Sequence, residues 1–211
     1  FMENKKISSA VVKRLPRYYR YLSELLENGI DRISSQELSK KMKVTASQIR
    51  QDFNNFGGFG QQGYGYNVSF LYEEIGKILG LEHNYNVIII GAGNLGQALA
   101  NYSGFVKRGF RVSGIFDVDP MVVGKKINGI QVMPVEDLET FIKEQPVHIA
   151  ALTLPKDQAS KIAGRLADLG VKAFWNFAST DLNLPEHVVV ENVHLAESLM
   201  RLSYKLSEKN G

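Results

Sequence analysis

The 211 residues are enough for two modest domains, and 44% hydrophobic with 22% charged residues is the composition of an ordinary globular protein. The sequence contains no cysteine, which excludes disulfides, thiolate metal sites and cysteine nucleophiles. No apolar run approaches the roughly 18 residues of a membrane span, and no signal-peptide pattern precedes the fold. We therefore expect a cytoplasmic protein with no membrane segment and no metal site.

Positive charge is concentrated near the N-terminus. Residues 1–53 carry 11 Lys or Arg against 6 Asp or Glu, whereas residues 81–211 carry 13 against 14. A basic N-terminal part on a near-neutral remainder suggests that this part has an anionic partner. Charge alone leaves an ordinary solvated basic face equally open.

The first predicted elements are helices. Residues 8–28 have the apolar periodicity of a helix, which Gly29 ends and which Pro16 kinks or divides in two. Residues 34–41 and 45–55 form two short helices, and each opens with a capping box. Two short helices joined by so few residues are typical of a helix-turn-helix.

A glycine-rich segment follows the helix pair. Residues 57–66 contain five glycines with interleaved aromatic residues, which excludes a helix interior and predicts a tight hairpin, or wing. A connecting helix at about 69–80 then leads into the rest of the chain. Residues 1–80 are therefore predicted to be a small winged helix-turn-helix domain with a linker helix.

From residue 86 onward, strands alternate with helices. The strands are apolar on both faces, most clearly at 87–90, which predicts a mostly parallel sheet with helices on both sides. We interpret 81–193 as an α/β Rossmann domain and 194–211 as a separate C-terminal helix. The predicted strands are 86–90, 111–117, 130–133, 147–153, 172–177 and 188–193. The predicted helices are 94–106, 135–143, 156–168 and 195–207.

The loop after the first of these strands has the spacing G-x-G-x-x-G of a dinucleotide-binding turn. Gly91 permits the sharp turn, Gly93 lets a pyrophosphate approach the backbone, and Gly96 lets the helix pack closely on the sheet. Asn94 and Leu95 begin the helix, so their N–H groups would face the phosphates. A glycine-rich turn without a ligand is the alternative interpretation.

An acidic residue ends the next predicted strand, 21 residues after Gly96. At this offset Asp117 would accept hydrogen bonds from the ribose hydroxyls of a dinucleotide. Its negative charge would repel a 2′-phosphate, so the pattern favours NAD over NADP. We therefore expect NADH and NAD⁺ as ligands.

Signs of a catalytic site are missing from the sequence. A dehydrogenase needs a substrate pocket and a proton donor or acceptor beside the nicotinamide. The sequence has no Tyr-x-x-x-Lys pair and leaves no room for a second catalytic domain. No histidine has an obvious partner constellation; the four are His83, His148, His187 and His194. The nucleotide is better interpreted as a signal than as a substrate, and we expect no enzyme activity.

The second helix of the predicted pair suits base recognition in a major groove, where Arg pairs with guanine and Gln with adenine. The candidate base contacts on it are Ser47, Gln48, Arg50 and Gln51. The candidate phosphate contacts are Lys13, Arg14, Arg17 and Lys43. Gly60 and Gly63 would bring the hairpin backbone against DNA. Ordinary exposed side chains on a protein-interaction module are the alternative.

Taken together, these patterns resemble the Rex family of redox-sensing transcriptional repressors over essentially the whole chain. The segments that carry the resemblance are 14–22, 34–38, 44–52, 56–57, 63–68, 91–96, 116–120, 153–155 and 176–178. The resemblance implies a homodimer that binds a palindromic operator when the NADH/NAD⁺ ratio is low and that NADH releases from DNA. It also implies that the C-terminal helix is exchanged between subunits.

The resemblance further implies which residues lie near the nicotinamide. These residues are Tyr102, Thr153, Leu154, Pro155, Asn176 and Phe177. Two departures from the family pattern affect other roles. Gln61 and Gln62 replace basic residues of the wing, and His194 stands where the C-terminal helix often begins with Asp, which puts a switch contact involving Arg20 and Tyr102 in doubt.

Two other functions remain open from the sequence. The first is a small NAD-dependent oxidoreductase whose helical domain serves only for dimerisation. The second is a CoA- or nucleotide-binding scaffold without a role on DNA. Turnover with a hydride acceptor would favour the first, and stabilisation by CoA without stabilisation by NADH would favour the second.

Overall fold

The computed structural model describes residues 7–54, 60–61 and 64–210, and for residues 60, 61 and 210 it describes the backbone only. The chain divides into two units, with the boundary between His83 and Asn84. The fold class predicted from the sequence is confirmed: a small helical unit with a three-stranded sheet precedes an α/β unit with a mostly parallel sheet.

In the residues that the structure describes, the first unit contains four α-helices and three short strands. Its helices are α1 (Ser9–Glu27), α2 (Ser35–Met42), α3 (Ala46–Asn54) and α4 (Val68–Ile78). Its strands are β1 (Arg32–Ile33), β2 (Gly60–Gln61) and β3 (Gly65–Asn67). Both strand pairs are antiparallel, with β3 in the centre of the sheet. The prediction missed β1, because two residues are too short to show an alternating pattern.

Helix α1 is continuous through Pro16, so of the two outcomes predicted there, a kink or a division, the division does not occur. A proline removes one hydrogen bond from a helix interior. Here a long apolar stripe offsets that cost by packing against the other helices. Its buried members are Val11, Leu15, Tyr18, Leu22 and Leu25.

The two predicted capping boxes differ in outcome. At α2 the box is complete, since Ser34 Oγ accepts from the Glu37 amide at 3.1 Å and Glu37 Oε2 accepts from the Ser34 amide at 2.8 Å. At α3 only half of it forms: Thr45 Oγ1 accepts from the Gln48 amide at 3.1 Å. The Gln48 side chain donates to Asp52 instead. The second half of the box does not form because the side-chain amide of Gln48 is bound to the buried carboxylate of Asp52.

The second unit is built on a seven-stranded sheet in the order β10-β9-β8-β4-β5-β7-β6. All neighbours are parallel except the β6–β7 hairpin. The strands are β4 (Tyr85–Ile90), β5 (Phe110–Asp117), β6 (Lys126–Ile127), β7 (Ile130–Pro134), β8 (Ile149–Leu152), β9 (Ala173–Asn176) and β10 (Val189–Asn192). The helices are α5 (Asn94–Asn101), α6 (Leu138–Glu144), α7 (Lys156–Asp168) and α8 (Leu195–Asn210).

The two faces of this sheet are covered unequally. On one face, α6 and α7 pack over alternate residues of the central strands, such as Ile88 and Phe116. On the other face, α5 packs over Ile89 and Ile115. The sequence predicts that α5 extends to residue 106, but it ends five residues earlier. An apolar cavity of about 380 Å³ lies on this second face.

Helix α8 follows the edge strand β10 and buries none of its described side chains. Its apolar stripe consists of Leu195, Leu199, Leu202 and Leu206, which are 59–69% exposed. Among the helices that the structure describes, none has the length and apolar character needed to cross a bilayer.

Candidate functional site

The glycine loop lies at the carboxyl end of β4, between β5 and β8. The chain leaves β4 toward β5 on one side and later returns to form β8 on the other. In open α/β sheets this reversal of strand order leaves a crevice in which ligands bind.

Two of the three glycines have no room for a side chain. Gly91 has a φ of 108°, and a Cβ there would lie 2.6 Å from Thr153 Oγ1. A Cβ on Gly96 would overlap the carbonyl oxygen of Gly91. The third motif glycine is thus needed for packing against the loop itself, which adds to the predicted packing of the helix on the sheet.

Gly93 differs from both, because a Cβ on it would meet no atom within 4 Å. Its φ of −71° is also accessible to any residue. Packing within the protein therefore gives no reason for a glycine here, whereas close approach of a ligand does. Gly93 is the N-cap of α5 and offers no capping side chain, so the first amides of the helix, those of Asn94 and Leu95, have no side-chain cap and suit an anion.

Asp117 at the end of β5 holds the glycine loop in place. Its carboxylate is buried; Oδ2 accepts from the Ala92 amide at 2.5 Å and Oδ1 from the Asp119 amide at 2.8 Å. Each carboxylate oxygen has two lone pairs, so the group retains acceptor capacity for ribose hydroxyls. The sequence predicts Asp117 as a ligand contact but does not indicate this structural task.

Thr153 braces the loop from the neighbouring strand. Its hydroxyl lies 3.0 Å from the Ile90 carbonyl oxygen and 2.9 Å from that of Gly91. The next two residues have different surroundings, since Leu154 is buried in the core and Pro155 is the N-cap of α7. Three of the six residues predicted near the nicotinamide thus follow β8, beside the glycine loop.

Asn176 is fully buried and its side-chain amide is engaged inside the protein. Nδ2 donates to the Thr180 carbonyl and to Asn192 Oδ1, both at 2.8 Å. Oδ1 accepts from the Ala178 amide at 3.1 Å. The side chain therefore ties the end of β9 to β10 and to the following loop.

An aromatic cluster connects the predicted nicotinamide residues with the apolar cavity. The ring centroids of Tyr102 and Phe105 are 4.7 Å apart, those of Phe105 and Trp175 5.5 Å, and those of Trp175 and Phe177 4.6 Å. Tyr102 and Phe177 thus lie at opposite ends of one chain of rings. Phe105 and Trp175 also line the cavity, together with apolar residues of β4, β8, β9 and β10.

In the first unit, α3 exposes three of its four predicted base contacts: Ser47, Arg50 and Gln51. Gln48 is half-buried and donates to Asp52. Arg50 also reaches α2, where its Nη1 donates to Ser35 Oγ at 3.1 Å.

The predicted phosphate contacts fall into two groups. Lys13 and Lys43 are exposed, and Lys43 ends α2 with a positive φ of 54°. Arg14 donates to Asp52, and Arg17 Nη2 donates to the Met42 carbonyl at 2.7 Å. Of the hairpin glycines, Gly60 pairs with Tyr66 in the β2–β3 ladder. Gly63, Gln62 and the segment 56–57 lie outside the described residues.

One of the four histidines, His148, has a structural hydrogen bond. His148 Nδ1 accepts from the backbone amide of Asn86 at 2.8 Å, at the start of the paired strands β4 and β8. This is the structural role that a strand-edge histidine commonly has. Within the described ranges, no group of three His, Cys, Asp or Glu residues is arranged to hold a metal ion.

Fold and site together define a class: a winged helix-turn-helix regulator that carries a Rossmann dinucleotide domain. Family models agree, since residues 6–54 match a putative DNA-binding protein N-terminus and residues 82–180 match a CoA binding domain. The chain is 59% identical over 97% of its length to the redox-sensing transcriptional repressor Rex of Thermoanaerobacter pseudethanolicus, covering 91% of that protein. It is 56% identical over 99% of its length to the Rex of Clostridium novyi and covers all of it.

Two solved structures are similar over the whole chain. One is RSP in complex with β-NAD⁺ and operator DNA, with a TM-score of 0.91, 58% identity, and coverage of 98% of this chain and 95% of that one. The other is RSP in complex with β-NADH, with a TM-score of 0.89, 55% identity, and coverage of 98% and 97%. The chain belongs to the Rex family of redox-sensing transcriptional repressors. It is a regulator and not an enzyme, so the dehydrogenase alternative is rejected.

Proposed function

We propose that this chain is an NADH-responsive repressor that binds a palindromic operator as a homodimer when the NADH/NAD⁺ ratio is low. NADH then releases it from DNA. The observation that carries the proposal is the open space at Gly93, at the start of a helix and beside the acid Asp117, in a chain that also exposes a recognition helix. The related structures with β-NAD⁺ and operator DNA and with β-NADH support both ligands.

The nucleotide would lie across the carboxyl edge of the sheet. Its pyrophosphate would contact the backbone of Gly91, Gly93, Asn94, Leu95 and Gly96, with Asp117 on the ribose. The nicotinamide would extend toward the residues after β8 and β9 and toward Tyr102. A CoA-binding scaffold is the weaker candidate, because relatives that match nearly the whole chain are named redox-sensing repressors.

Discrimination between the two redox states would follow from charge. NAD⁺ carries a positive charge on the nicotinamide ring that NADH lacks. A ring environment supplied by Phe177 and Leu154 penalises the charged form, because a charge loses hydration in apolar surroundings. This end of the site would therefore favour NADH.

Release from DNA needs two arrangements of the dimer with different affinities for NADH. Moving such an equilibrium from mostly one state to mostly the other takes about 5.5 kcal/mol of differential binding. We propose that the change alters the separation of the two α3 helices, which must match about one DNA turn, ~34 Å, or a multiple of it.

The homodimer is supported by two apolar surfaces of the same chain. Helix α8 exposes its leucine stripe, and the second face of the sheet has an open apolar cavity over β8, β9 and β10. Exposed apolar surfaces of this kind mark association sites. We propose that α8 of a second copy covers this face, as in the exchange that the resemblance implies. As a repressor works on the chromosome, the cytoplasm is the proposed location; no metal or membrane takes part.

The test is fluorescence anisotropy with a labelled palindromic operator at fixed salt, without nucleotide and with NAD⁺, NADH or NADPH. Salt is fixed because phosphate contacts make the affinity strongly dependent on ionic strength. We expect binding that NAD⁺ spares and NADH abolishes. NADPH at the same concentration is the matched control, since its 2′-phosphate meets Asp117 and should leave the complex intact. An operator affinity that none of the three nucleotides changes would refute the sensing role.

A further inference from the structure

The carboxylate of Asp52 on α3 is fully buried and receives four hydrogen bonds from three side chains. Arg14 donates twice, from Nε to Oδ2 at 2.7 Å and from Nη2 to Oδ1 at 2.8 Å. Tyr18 Oη donates at 2.7 Å and Gln48 Nε2 at 2.8 Å. Arg14 and Tyr18 belong to α1, so one carboxylate joins the two helices.

These contacts lie on the side of α3 opposite two of the predicted base contacts, Ser47 and Arg50, whereas a third, Gln48, takes part in them. Successive residues are about 100° apart around a helix, so Ser47 and Arg50 lie about 140° and 160° around α3 from Asp52. The hydrogen bonds that hold Asp52 in place therefore also orient the face of α3 that carries Ser47 and Arg50. A bidentate Arg–carboxylate pair restricts both distance and orientation, which a single hydrogen bond does not.

Helix α1 also holds the other helix of the pair. Arg17 on α1 donates to the Met42 carbonyl at the end of α2. Arg14 and Arg17, which the sequence predicts as phosphate contacts, thus donate hydrogen bonds within the helix-turn-helix itself. For Arg14, two of its three nitrogens are used, and its side chain is only 23% exposed.

We propose that Arg14 and Asp52 are a positioning pair for operator recognition. They set the angle at which α3 presents its base-contacting face, and Arg14 contributes to sequence specificity without serving as a phosphate contact. Recognition constellations of this kind need support within about 0.5 Å and 10–20°. The inference rests on the proposed DNA-binding function.

The experiment compares Arg14→Lys and Asp52→Asn with the wild-type full chain. Affinity for operator and for random duplex DNA is measured by anisotropy at several salt concentrations. Arg14→Lys keeps a charge for a phosphate but cannot form the bidentate contact. We expect the operator-to-random affinity ratio to fall at least about tenfold, out of the roughly thousandfold or more that specific binding usually has. The salt dependence should stay unchanged.

The matched control is Lys13→Gln, one residue away on the exposed side of α1. Loss of a phosphate contact there lowers the slope of log affinity against log salt by about 0.9 and affects both DNAs alike. If Arg14→Gln behaves like this control, or if Arg14→Lys and Asp52→Asn leave the ratio unchanged, the positioning role is wrong. If the wild-type chain shows no operator preference, the proposed function fails instead.

A double variant separates positioning from misfolding. Arg14→Gln leaves Asp52 as an unpaired buried charge, whereas Arg14→Gln with Asp52→Asn removes both charges and leaves two amides that can pair. We expect the double variant to recover part of the operator-to-random ratio that Arg14→Gln loses. A ratio no better in the double variant, with helix content equal to wild type by circular dichroism, would overturn the proposal.

Discussion

Gly93 and Gly96 stand three residues apart in one motif, but one has open space around its α-carbon and the other has none. Gly96 is enclosed by the backbone of Gly91, while Gly93 faces open space. A side chain at Gly96 conflicts with the fold, whereas a side chain at Gly93 conflicts only with a ligand. This difference separates stability from binding within a single motif.

We expect Gly93→Ala to leave the thermal stability of the protein within about 0.5 kcal/mol of wild type, as for an unstrained surface change. Its affinity for NADH should fall at least tenfold, or about 1.4 kcal/mol, because the added methyl occupies the path of the pyrophosphate. Calorimetric titration with NADH and thermal unfolding without it check both values.

Gly96→Ala is the companion variant. The new methyl overlaps a backbone carbonyl, so we expect the free energy of unfolding to fall by about 3 kcal/mol, at the upper end of the usual cost of overpacking.

For Gly93→Ala, an NADH affinity equal to that of wild type would mean that the phosphates do not approach Gly93.

At the scale of elements, the junction between α1 and α3 depends on ionisation. Burial alone would raise the pKa of Asp52, but hydrogen bonds from Arg14, Tyr18 and Gln48 hold that pKa below its ordinary value of 3.8. The ionised carboxylate therefore stabilises the folded state above pH 3.8. That contribution is lost as the pH falls through the lower pKa of the folded protein.

Asp52→Asn should therefore destabilise the first unit most near neutral pH. The difference from wild type should shrink as the pH is lowered toward and below 3.8, because the wild-type carboxylate then becomes protonated. Hydrogen exchange of α1 and α3 amides in both proteins, compared at matched pH values, measures this difference. A difference that is constant from pH 7 to pH 3 would show that the charge of Asp52 does not stabilise the junction.

The sequence predicted elements well where periodicity was long and poorly where strands were short. The apolar runs of β4 and β8 and the stripe of α1 were visible, because many residues contribute to each pattern. Strand β6 was missed, although the Asn128-Gly129 pair with φ of 49° and 79° is a hairpin signal that the sequence contains. Helix α5 ends earlier than predicted, at Asn101, and the nearby Gly104 is the sequence feature that could have indicated this end.

The candidate site was predictable in outline because its motif fixes the backbone. The glycine spacing and Asp117 follow from sequence offsets alone. The bonds of Thr153, Asn176 and Asp52 could not be derived, because each joins elements that are distant in sequence. Arg14 and Gln48 carry the right chemistry for DNA, and only the fold shows that Asp52 engages them.

For the whole molecule, the two exposed apolar surfaces set the expected assembly. Leu199→Glu places a charge in the centre of the α8 stripe, where a partner would bury it. We expect this variant to be monomeric in sedimentation analysis and to lose operator affinity, because two half-sites must be bound together. Ser207→Glu, about 110° around α8 from the stripe, is the control and should remain a dimer. A dimeric Leu199→Glu would place the subunit interface elsewhere.

Trp175 gives the protein a built-in optical reporter. It is the sole tryptophan of the chain, and its ring lies between Phe105 and Phe177 at the wall of the apolar cavity. Covering the cavity would exclude water from the indole and shift its emission to the blue. Dihydronicotinamide absorbs where indole emits, so NADH bound beside Phe177 would quench that emission by energy transfer, which NAD⁺ cannot do. If the proposed dimer and nicotinamide site are correct, unlabelled protein would report subunit association and the redox state of its ligand as two separable changes in one fluorescence spectrum.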